Sequence, residues 1–318
     1  MRPLSVVVPA TNAPTTLDRC LVAVRTAMGP DDEVIVVDGP RELTAIEARN
    51  TGAARARHDV LVFVDADVEV HPDALERVRA AFADPATTAV FGSYDDAPSV
   101  PTTVSSFRNL LHHHVHQTNP GPTTSFWTGL GAVRRSAFEE IGGFDAERYR
   151  VPSIEDIDLG QRLAERGATI RLDPEIQGKH LKAWTLGSVV RTDFAARGVP
   201  WVALMWRARS VPRMLNLGLR HRCSAIASVG AVVGVALGSL LLIAGCLAAL
   251  VALNRSFYAL LVRRQGLRRA VLGVVLHTLH HLVAAAAVPA GICSAVFAGA
   301  RTGRTTRAGT VALEATVE

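Results

Sequence analysis

The chain has 318 residues, with 34 Lys and Arg against 29 Asp and Glu and a formal net charge of +5 at pH 7. This length allows one large domain or a domain with an appendage, and the four scattered cysteines imply neither a disulfide framework nor a cysteine-based metal site. The modest charge and the lack of a recognisable nucleic-acid-binding motif exclude nucleic acid as an expected partner.

The first 95 residues alternate short apolar runs with amphipathic segments. Strands are predicted at Leu4–Val8, Glu33–Val37, Val60–Val64 and Ala89–Gly92. Helices are predicted at Thr15–Ala27, Thr44–Arg57 and Pro72–Phe82. Strands that alternate with helices of this length predict a parallel α/β sheet with helices on both faces.

The middle of the chain is less regular. Helices are predicted at Val104–His116, Ser136–Ile141 and Ile154–Arg166, an extended segment at 123–133, and a final strand at Thr169–Leu172. Consecutive residues diverge on a helix, so only His112 and His116 of the histidine-rich run share a face. We therefore expect a solvated or interfacial helix there rather than a metal site.

The C-terminal third contains two stretches, 223–254 and 270–300, that lack Asp, Glu, Lys and Arg. Each is longer than the roughly 20 residues that cross a bilayer, so two or three membrane spans are predicted within 223–300. The polar tail at 301–318 is predicted to be disordered. Because the N-terminus lacks a signal-peptide core, we expect a multi-pass cell-membrane protein whose soluble domain is cytoplasmic.

Two carboxylates, Asp65 and Asp67, directly follow the apolar strand Val60–Val64. Ligands of open α/β sheets collect at the carboxyl ends of strands. Two neighbouring carboxylates repel one another unless a cation lies close to them. Mg²⁺ or Mn²⁺ held by few carboxylates and by substrate phosphates meets that need, so the pair predicts a divalent ion that holds a diphosphate.

Two further polar residues lie near predicted strand ends. Asp38 follows the second strand and could accept hydrogen bonds from a base or ribose, although a turn aspartate is the simpler interpretation. Arg49 could reach a phosphate or pair with Asp65, and a solvated surface arginine is the alternative.

A carboxylate cluster, Glu155, Asp156 and Asp158, opens the helix at Ile154–Arg166. Such residues stabilise a helix N-terminus through its dipole, and Asp158 is also at pair spacing with Arg162. The functional interpretation is that one carboxylate acts as a general base. Adjacent residues point in different directions, so we expect only one of them to face the substrate.

The segment after the last predicted strand contains His180 and Trp184. His180 could ligate a metal or contact a diphosphate, although a lone histidine more often satisfies a loop hydrogen bond. Trp184 could stack on a sugar or anchor the chain at a membrane interface.

Taken in order, these motifs resemble glycosyltransferase family 2, of a bacterial, membrane-anchored kind. The matching segments are Val6–Pro9, Val36–Gly39, Ala48–Gly52, Asp65–Asp67, Gly129–Arg135, Gly142–Asp145 and Glu155–Leu159. The resemblance covers residues 3 to 210. It implies an α/β GT-A fold (a Rossmann-like nucleotide-diphospho-sugar transferase domain) over residues 1–210, followed by C-terminal transmembrane helices.

The resemblance also implies roles on the donor side. Asp38 would bind the nucleotide base, which residues around Pro9 and Thr11 would frame through backbone contacts. Arg49 would lie beside the diphosphate of a UDP- or GDP-sugar, and Asp65 would contact the ribose.

The metal and the acceptor follow from the same resemblance. Asp67, with His180 close by, would hold Mg²⁺ or Mn²⁺ against the diphosphate. Gly129 and Gly131 would belong to the loop beneath the donor sugar, and Asp156 would be the general base of an inverting transfer. Glu155, Asp158 and Trp184 are further candidates on the acceptor side.

One departure from the family concerns the Gln-x-x-Arg-Trp motif of its processive members. The corresponding region is Lys179–Trp184, which lacks the Arg and the Gln, so transfer of a single sugar is predicted. Tryptophans and basic residues interleave over 184–222, which is typical of interfacial helices and suggests a lipid-linked or membrane-associated acceptor.

Two other functions compete with this hypothesis. A GT-A-like nucleotidyltransferase needs a glycine-rich, basic loop after the first strand, and Pro9–Asn12 is neither. A non-catalytic membrane scaffold with a transferase-like domain is the other, and the joint presence of Asp38, Asp65, Asp67 and Asp156 argues against it.

Overall fold

The computed structural model describes residues 2–209 and 215–314, with side chains described for 2–209, 215 and 217–297. The strands are β1 (Leu4–Pro9), β2 (Glu33–Val37), β3 (Val60–Val64), β4 (Val68–Val70), β5 (Thr87–Tyr94), β6 (Gly121–Thr123), β7 (Leu130–Arg134) and β8 (Thr169–His180). The helices of the first 165 residues are α1 (Leu17–Ala27), α2 (Ala45–Arg55), α3 (Ala74–Ala81), α4 (Thr103–Gln117), α5 (Arg135–Glu140) and α6 (Glu155–Glu165).

The helices that follow β8 are α7 (Leu186–Arg191), α8 (Val199–Ala208), α9 (Leu219–Ala236), α10 (Leu240–Leu253), α11 (Arg255–Gln265) and α12 (Leu267–Glu314). A π-helical segment, Thr192–Gly198, joins α7 to α8, and a 3₁₀ turn, Leu215–Leu217, precedes α9. The helix α12 extends into the predicted disordered tail, of which 315–318 lie outside the described residues.

The strands form one mixed sheet in the order β2-β1-β3-β7-β5-β8-β4, with β6 paired to β8. The pairs β1–β2, β1–β3 and β5–β8 are parallel, as the alternation of strands and helices predicted. The strands β7, β4 and β6 pair antiparallel with their neighbours. β4 and β6 were not predicted, and β7 was predicted only as part of the extended segment at 123–133, because three-residue strands and a glycine-punctuated run give little periodicity.

Two predicted elements were too short. The strand predicted at Thr169–Leu172 continues to His180, and the one predicted at Ala89–Gly92 spans β5. The missed half of β8 contains Pro174 and Gly178 and few consecutive apolar residues, a pattern that does not indicate a strand. Its extension is what carries His180 back to the end of β3.

The core lies on both faces of β3, whose five residues are all buried. Phe63 packs edge-on against Phe144, whose backbone bonds to Asn50 of α2. The helix α2 on this face begins with a capping box in which Thr44 and Glu47 bond to each other's backbone N–H groups. Gly52 lets α2 approach β1 closely, because a Cβ there would lie 2.3 Å from the Val7 side chain. This contact fixes the height of Arg49 above the sheet.

The C-terminal helices expose large apolar side chains, including Leu241, which is 86% exposed, and Ile226 and Phe297. A contiguous apolar surface of this kind marks a membrane or protein contact. Within the described part of the chain, one helix, Leu267–Phe297, is long and apolar enough to cross a membrane. The bent pair α10 and α11, with 78° between its two helices, would add a second if it counts as one span. The number of spans therefore stays a prediction.

Candidate active site

Strands β1, β2 and β3 end at one edge of the sheet, where the antiparallel strand β7 begins. Asp65 and Asp67 lie at this edge in a tight turn, in which Asp65 accepts a hydrogen bond from the Val68 N–H at 2.9 Å. The Asp65 N–H donates to Gly129 at 3.2 Å, and Asp67 accepts from the Leu181 N–H at 2.8 Å. Backbone bonds from two other strands therefore hold both carboxylates in place.

Arg49 is only 5% exposed and connects two carboxylates from distant parts of the chain. Its Nη2 donates to Asp65 at 2.7 Å, and its Nη1 donates to Glu155 at 3.0 Å. Glu155 also accepts from the Ser153 N–H at 2.7 Å. Burial alone would lower the pKa of Arg49, but Asp65 and Glu155 raise it above the usual value, so the guanidinium stays charged. Arg49 thus positions Asp65 and the start of α6.

Asp67 faces His180, with 3.7 Å between its Oδ2 and Nε2 of the imidazole. The His180 ring stacks on Tyr94 with 4.1 Å between ring centroids, which fixes its orientation. Burial raises the pKa of Asp67, but His180 and Lys182 outweigh this effect and hold the pKa below its usual value. The carboxylate is therefore ionised and faces the imidazole of His180.

The donor set tests whether a divalent ion fits here. Two ligand atoms that share an ion lie at most about 4.2 Å apart when each is about 2.1 Å from it, so Asp67 and His180 are close enough. Among the described residues, no group of three or more His, Cys, Asp or Glu could hold a metal. An ion that keeps positions for substrate phosphates needs no third protein ligand. We call Arg49, Asp65, Asp67 and His180 the strand-end site.

The start of α6 separates its two carboxylates, as predicted. Glu155 points to Arg49, whereas Asp156 lines a large cavity on the other side. Burial and the neighbouring Glu155 raise the pKa of Asp156 to about 7, against the opposing effects of Arg197 and Arg49. A carboxylate with a pKa near neutrality can take up a proton at physiological pH, which is what a general base requires.

The cavity beside Asp156 has a volume of about 880 Å³ and lies between the sheet domain and the C-terminal helices. We call it the central cavity. Its wall near the sheet is formed by Phe91, Phe126, Trp127, His112, His116 and Asp156. Its opposite wall is formed mainly by Trp201, Val202 and Met205 of α8 and by Ala284, Ala285, Val288 and Ile292 of α12.

Two glycines allow the cavity wall to approach β7. A Cβ at Gly129 would lie 2.1 Å from the Trp127 ring, and one at Gly131 would lie 2.3 Å from the Trp127 carbonyl oxygen. Both glycines therefore set the position of Trp127, which lines the central cavity. The predicted position of the two glycines beneath the donor sugar is compatible with this geometry. The Gly129 carbonyl accepts a hydrogen bond from the Asp65 N–H, so the loop also contacts the strand-end site.

The predicted base-binding residues lie at the ends of β1 and β2. Pro9 and Thr11 are buried, and the Thr11 hydroxyl donates to the Leu43 carbonyl at 2.9 Å. Asp38 is exposed at the same edge, in front of a cis peptide bond between Gly39 and Pro40. A solvent-facing carboxylate at this edge has its oxygens available to a ligand.

The structure separates two predicted residues from the cavity. Asp158 is buried among Arg148 at 2.9 Å, Arg162 at 2.8 Å and the Tyr149 hydroxyl at 3.3 Å, so its oxygens hold the helix in place. Trp184 lies under Lys182, with 4.5 Å from the ammonium to the ring centroid, and is not part of the cavity wall.

The histidine-rich helix is buried rather than solvated, which corrects the prediction for 112–116. His112 and His116 share a face, with 4.0 Å between ring centroids, and both pack against Trp127. His116 bonds to the Gly92 carbonyl at 2.8 Å, and burial lowers its pKa to about 4. The reason is that β5 and α4 pack face to face, so histidines with neutral rings act as core aromatic residues.

Several site residues were missed by the sequence reasoning. Tyr94, Trp127 and Arg108 come from elements far apart in the chain, and Arg197 was assigned only to an interfacial helix. The Arg108 guanidinium pairs with Asp193 at 2.9 Å, and Asp193 also pairs with His280 of α12 at 2.8 Å. Asp193 and Arg197 lie in a π-helical segment, a feature that often occurs at functional sites. The sequence does not reveal this segment, so it could not identify the two residues.

The model of glycosyl transferase family 21 matches residues 46–290, more than half of the chain. The chain belongs to glycosyl transferase family 21. The match includes the strand-end site, Asp156 and the C-terminal helices as far as the middle of α12, and it confirms the expectation of a GT-A glycosyltransferase with appended helices.

Curated relatives are similar over parts of the chain. The pre-mycofactocin glycosyltransferase of Mycobacterium tuberculosis is 29% identical over 167 residues, which is 49% of this chain and 34% of that protein. The chain therefore matches about a third of the length of that relative. The glycosyltransferase AglE of Haloferax volcanii is 24% identical over 223 residues, covering 60% of this chain and 70% of AglE.

Among solved structures, the mannosyltransferase PcManGT from Pyrobaculum calidifontis, in complex with GDP-Man and Mn²⁺, superposes with a TM-score of 0.55. The match covers 90% of this chain and 86% of that one at 17% sequence identity. The similarity extends through the sheet and the helices that follow it, so it supports the fold of the whole molecule.

Proposed function

We propose that the protein transfers a single sugar from a nucleotide-diphosphate sugar to an acceptor hydroxyl, with inversion at the anomeric carbon. The observation that carries the proposal is the presence of two unlike groups near Arg49, which bonds to Asp65 and Glu155 and lowers the pKa of Asp156. An ionised carboxylate and an imidazole, Asp67 and His180, lie at the strand-end site. A carboxylate whose pKa is raised to about 7, Asp156, lies in the central cavity.

The strand-end site would bind the donor. Asp38 is positioned for the base, and Asp65, held by Arg49, is positioned for the ribose. Asp67 and His180 would hold Mg²⁺ or Mn²⁺, which supplies charge neutralisation for the departing diphosphate when it is bound. The Mn²⁺ in the PcManGT complex supports the same requirement here.

The central cavity would bind the acceptor. Asp156 accepts the hydroxyl proton as the acceptor oxygen bonds to the anomeric carbon. The bond from that carbon to the diphosphate oxygen breaks, and its electron pair leaves with the nucleotide. Attack from the face opposite the leaving group inverts the configuration, so no covalent intermediate on the enzyme is needed.

The membrane setting follows from the C-terminal helices. Their exposed apolar side chains and the apolar wall of the cavity favour a lipid-linked or membrane-associated acceptor. We propose a multi-pass cell-membrane protein with the sheet domain in the cytoplasm. Accessibility labelling of single cysteines introduced in the sheet domain and near residue 265 of the full chain tests this topology.

The decisive experiment is a donor screen with the purified full chain and Mn²⁺ or Mg²⁺. Nucleotide release from one UDP- or GDP-sugar is expected, and NMR of the product should show the anomeric configuration opposite to that of the donor. Retention of configuration would overturn the inverting mechanism. If no donor is bound or cleaved, the non-catalytic scaffold becomes the better hypothesis.

A further inference from the structure

The polar groups of the central cavity carry more positive than negative charge. Among the described residues, its wall contains four arginines, Arg108, Arg197, Arg209 and Arg222, and two carboxylates, Asp156 and Asp193. Asp193 is already engaged by Arg108 and by His280. Asp156 is the other described carboxylate on this wall, and its raised pKa leaves it partly protonated near neutral pH.

Arg197 is a cation of this wall that pairs with no carboxylate among the described side chains. It has no hydrogen bond or ion pair among the residues whose side chains are described, and its side chain is exposed along the cavity wall. In a π-helical turn, with hydrogen bonds from i to i+5, residues four apart lie on nearly the same face. Arg197 therefore lies on the same face of this segment as Asp193. The contacts of Asp193 with Arg108 and His280 turn that face toward the cavity. An unpaired guanidinium on the wall of a largely enclosed cavity is a binding group for an anion.

The position of Arg197 relative to Asp156 limits what that anion can be. Both line the same cavity, and their electrostatic interaction affects the pKa of Asp156. A group that binds both must offer a hydroxyl to Asp156 and a negative charge to Arg197. Most of the wall that α8 and α12 contribute is apolar, apart from His280 and His281, and it continues into the helices that expose their apolar side chains.

We propose that the acceptor is a lipid whose hydroxyl-bearing headgroup is joined to its apolar tail through a phosphate, with the phosphate on Arg197 and the tail in the central cavity, along the wall that α8 and α12 form. This inference rests on the proposed function and specifies its acceptor. Close packing of α12 against α8 and the π-helical segment closes the cavity on this side. A Cβ at Gly198 would lie 2.7 Å from the Ala287 side chain, and one at Gly291 would lie 2.5 Å from Val202. The two helices thus form a tight seam beside the cavity.

Two sources share this chemistry, a glycerophospholipid with a hydroxyl headgroup and a sugar carried on an isoprenoid diphosphate. The full chain in nanodiscs of phosphatidylcholine should be assayed for transfer to phosphatidylglycerol, phosphatidylinositol and an isoprenoid-diphosphate sugar. Diacylglycerol and ceramide are the neutral comparisons. Preference for any phosphate-linked acceptor supports the proposal and identifies the source, whereas equal kcat/KM for the neutral lipids overturns it.

The variants Arg197→Gln and Arg197→Lys test the phosphate contact. Loss of a charge-assisted hydrogen bond should raise the acceptor KM of Arg197→Gln by about 10- to 100-fold and leave the donor KM unchanged. Arg197→Lys should restore part of the loss, because it keeps the charge but not the forked geometry. The matched control is Arg191→Gln, an exposed arginine on α7 outside the cavity wall. A donor KM that rises instead would assign Arg197 to the diphosphate and refute the proposal.

A binding experiment separates this inference from the proposed function, since it needs no sugar transfer. Phosphatidylglycerol and diacylglycerol with the same photoreactive chain are cross-linked to the full chain, and the labelled peptides are identified by mass spectrometry. Labelling of α8 and α12 at the cavity should be roughly tenfold stronger with the phosphate, from one charged hydrogen bond. The preference should disappear in Arg197→Gln and persist in Arg191→Gln. Equal labelling of the unmodified protein by both lipids overturns the proposal even if the enzyme is active.

Discussion

The strand-end site and the central cavity are built in opposite ways. The strand-end site is a polar network, in which Arg49 connects Asp65 to Glu155 and backbone bonds hold both carboxylates. The central cavity is closed by helices from the C-terminal third, and its wall combines large apolar and aromatic side chains with separate charged groups such as Asp156 and Arg197. A rigid polar edge suits a ligand of constant chemistry, such as a nucleotide diphosphate, whereas an apolar cavity between separate layers suits a lipid.

This difference indicates where specificity for the acceptor resides. The donor side uses residues that follow strands, whose geometry the sheet fixes. The acceptor side depends on how α8 and α12 pack against the domain, so small changes there should alter acceptor choice without affecting donor binding. The predictions below test this separation.

The largest effect is expected from Asp156→Asn, which removes the base from the acceptor side. Transfer should fall by about 10²- to 10⁴-fold, the usual contribution of a general base. Donor binding, measured by titration calorimetry, should not change, because Asp156 lies in the cavity and not at the strand-end site. Glu165→Gln, an exposed position on the same helix, is the control and should retain full activity. A weakened donor affinity in Asp156→Asn would show that the two sites are not separable.

The next effect concerns the metal at the strand-end site. Chelation should reduce transfer by about 100-fold or more, since a bound cation contributes several kcal/mol to charge stabilisation. Added Mn²⁺ or Mg²⁺ should restore the unmodified enzyme but not Asp67→Ala. The control Asp31→Ala changes an exposed carboxylate before β2 and should respond to metal like the unmodified enzyme. Transfer that survives chelation would remove the metal from the mechanism.

The pH profile should report Asp156. The group acts as a base only when ionised, and its pKa is raised to about 7, so kcat/KM should fall below this pH. At two units below the pKa the loss should be about 100-fold, tenfold for each unit. Arg197 favours the ionised form, so Arg197→Gln should move the acidic limb to higher pH. An acidic limb near pH 4 would mean that Asp156 is not the titrating group.

The smallest effect is expected where the two sites meet, at Gly129. Alanine there brings a Cβ to 2.1 Å from the Trp127 ring. Forcing an extra methyl into a packed wall costs about 1–3 kcal/mol, so thermal unfolding in detergent should occur at lower temperature. Gly187→Ala is the matched control, because nothing lies within 4 Å of the added Cβ and α7 should gain up to about 1 kcal/mol. Equal stability of the two variants would show that Trp127 moves freely.

Much of the strand-end site could be predicted from the sequence. Buried strands end in recognisable polar residues, and strand ends meet at one edge, so Asp65, Asp67 and Asp38 were placed there correctly from order alone. The separation of Glu155 from Asp156 was also predictable, since adjacent helical residues diverge. The sequence did not reveal the full length of β5 and β8 or the antiparallel strands β4, β6 and β7, because periodicity marks an apolar run but not the strand that it pairs with.

The sequence by itself determined the α/β alternation, the apolar C-terminal segments and the carboxylates that follow β3, since these depend on neighbours along the chain. Only the tertiary structure decided that Arg49 is buried between two carboxylates, that His112 and His116 belong to the core, and that Arg197 faces the same cavity as Asp156. These facts depend on contacts between residues that lie 16 to 106 positions apart in the sequence. Local periodicity contains no information about such distances, because it describes which face of an element is apolar and not what packs against it.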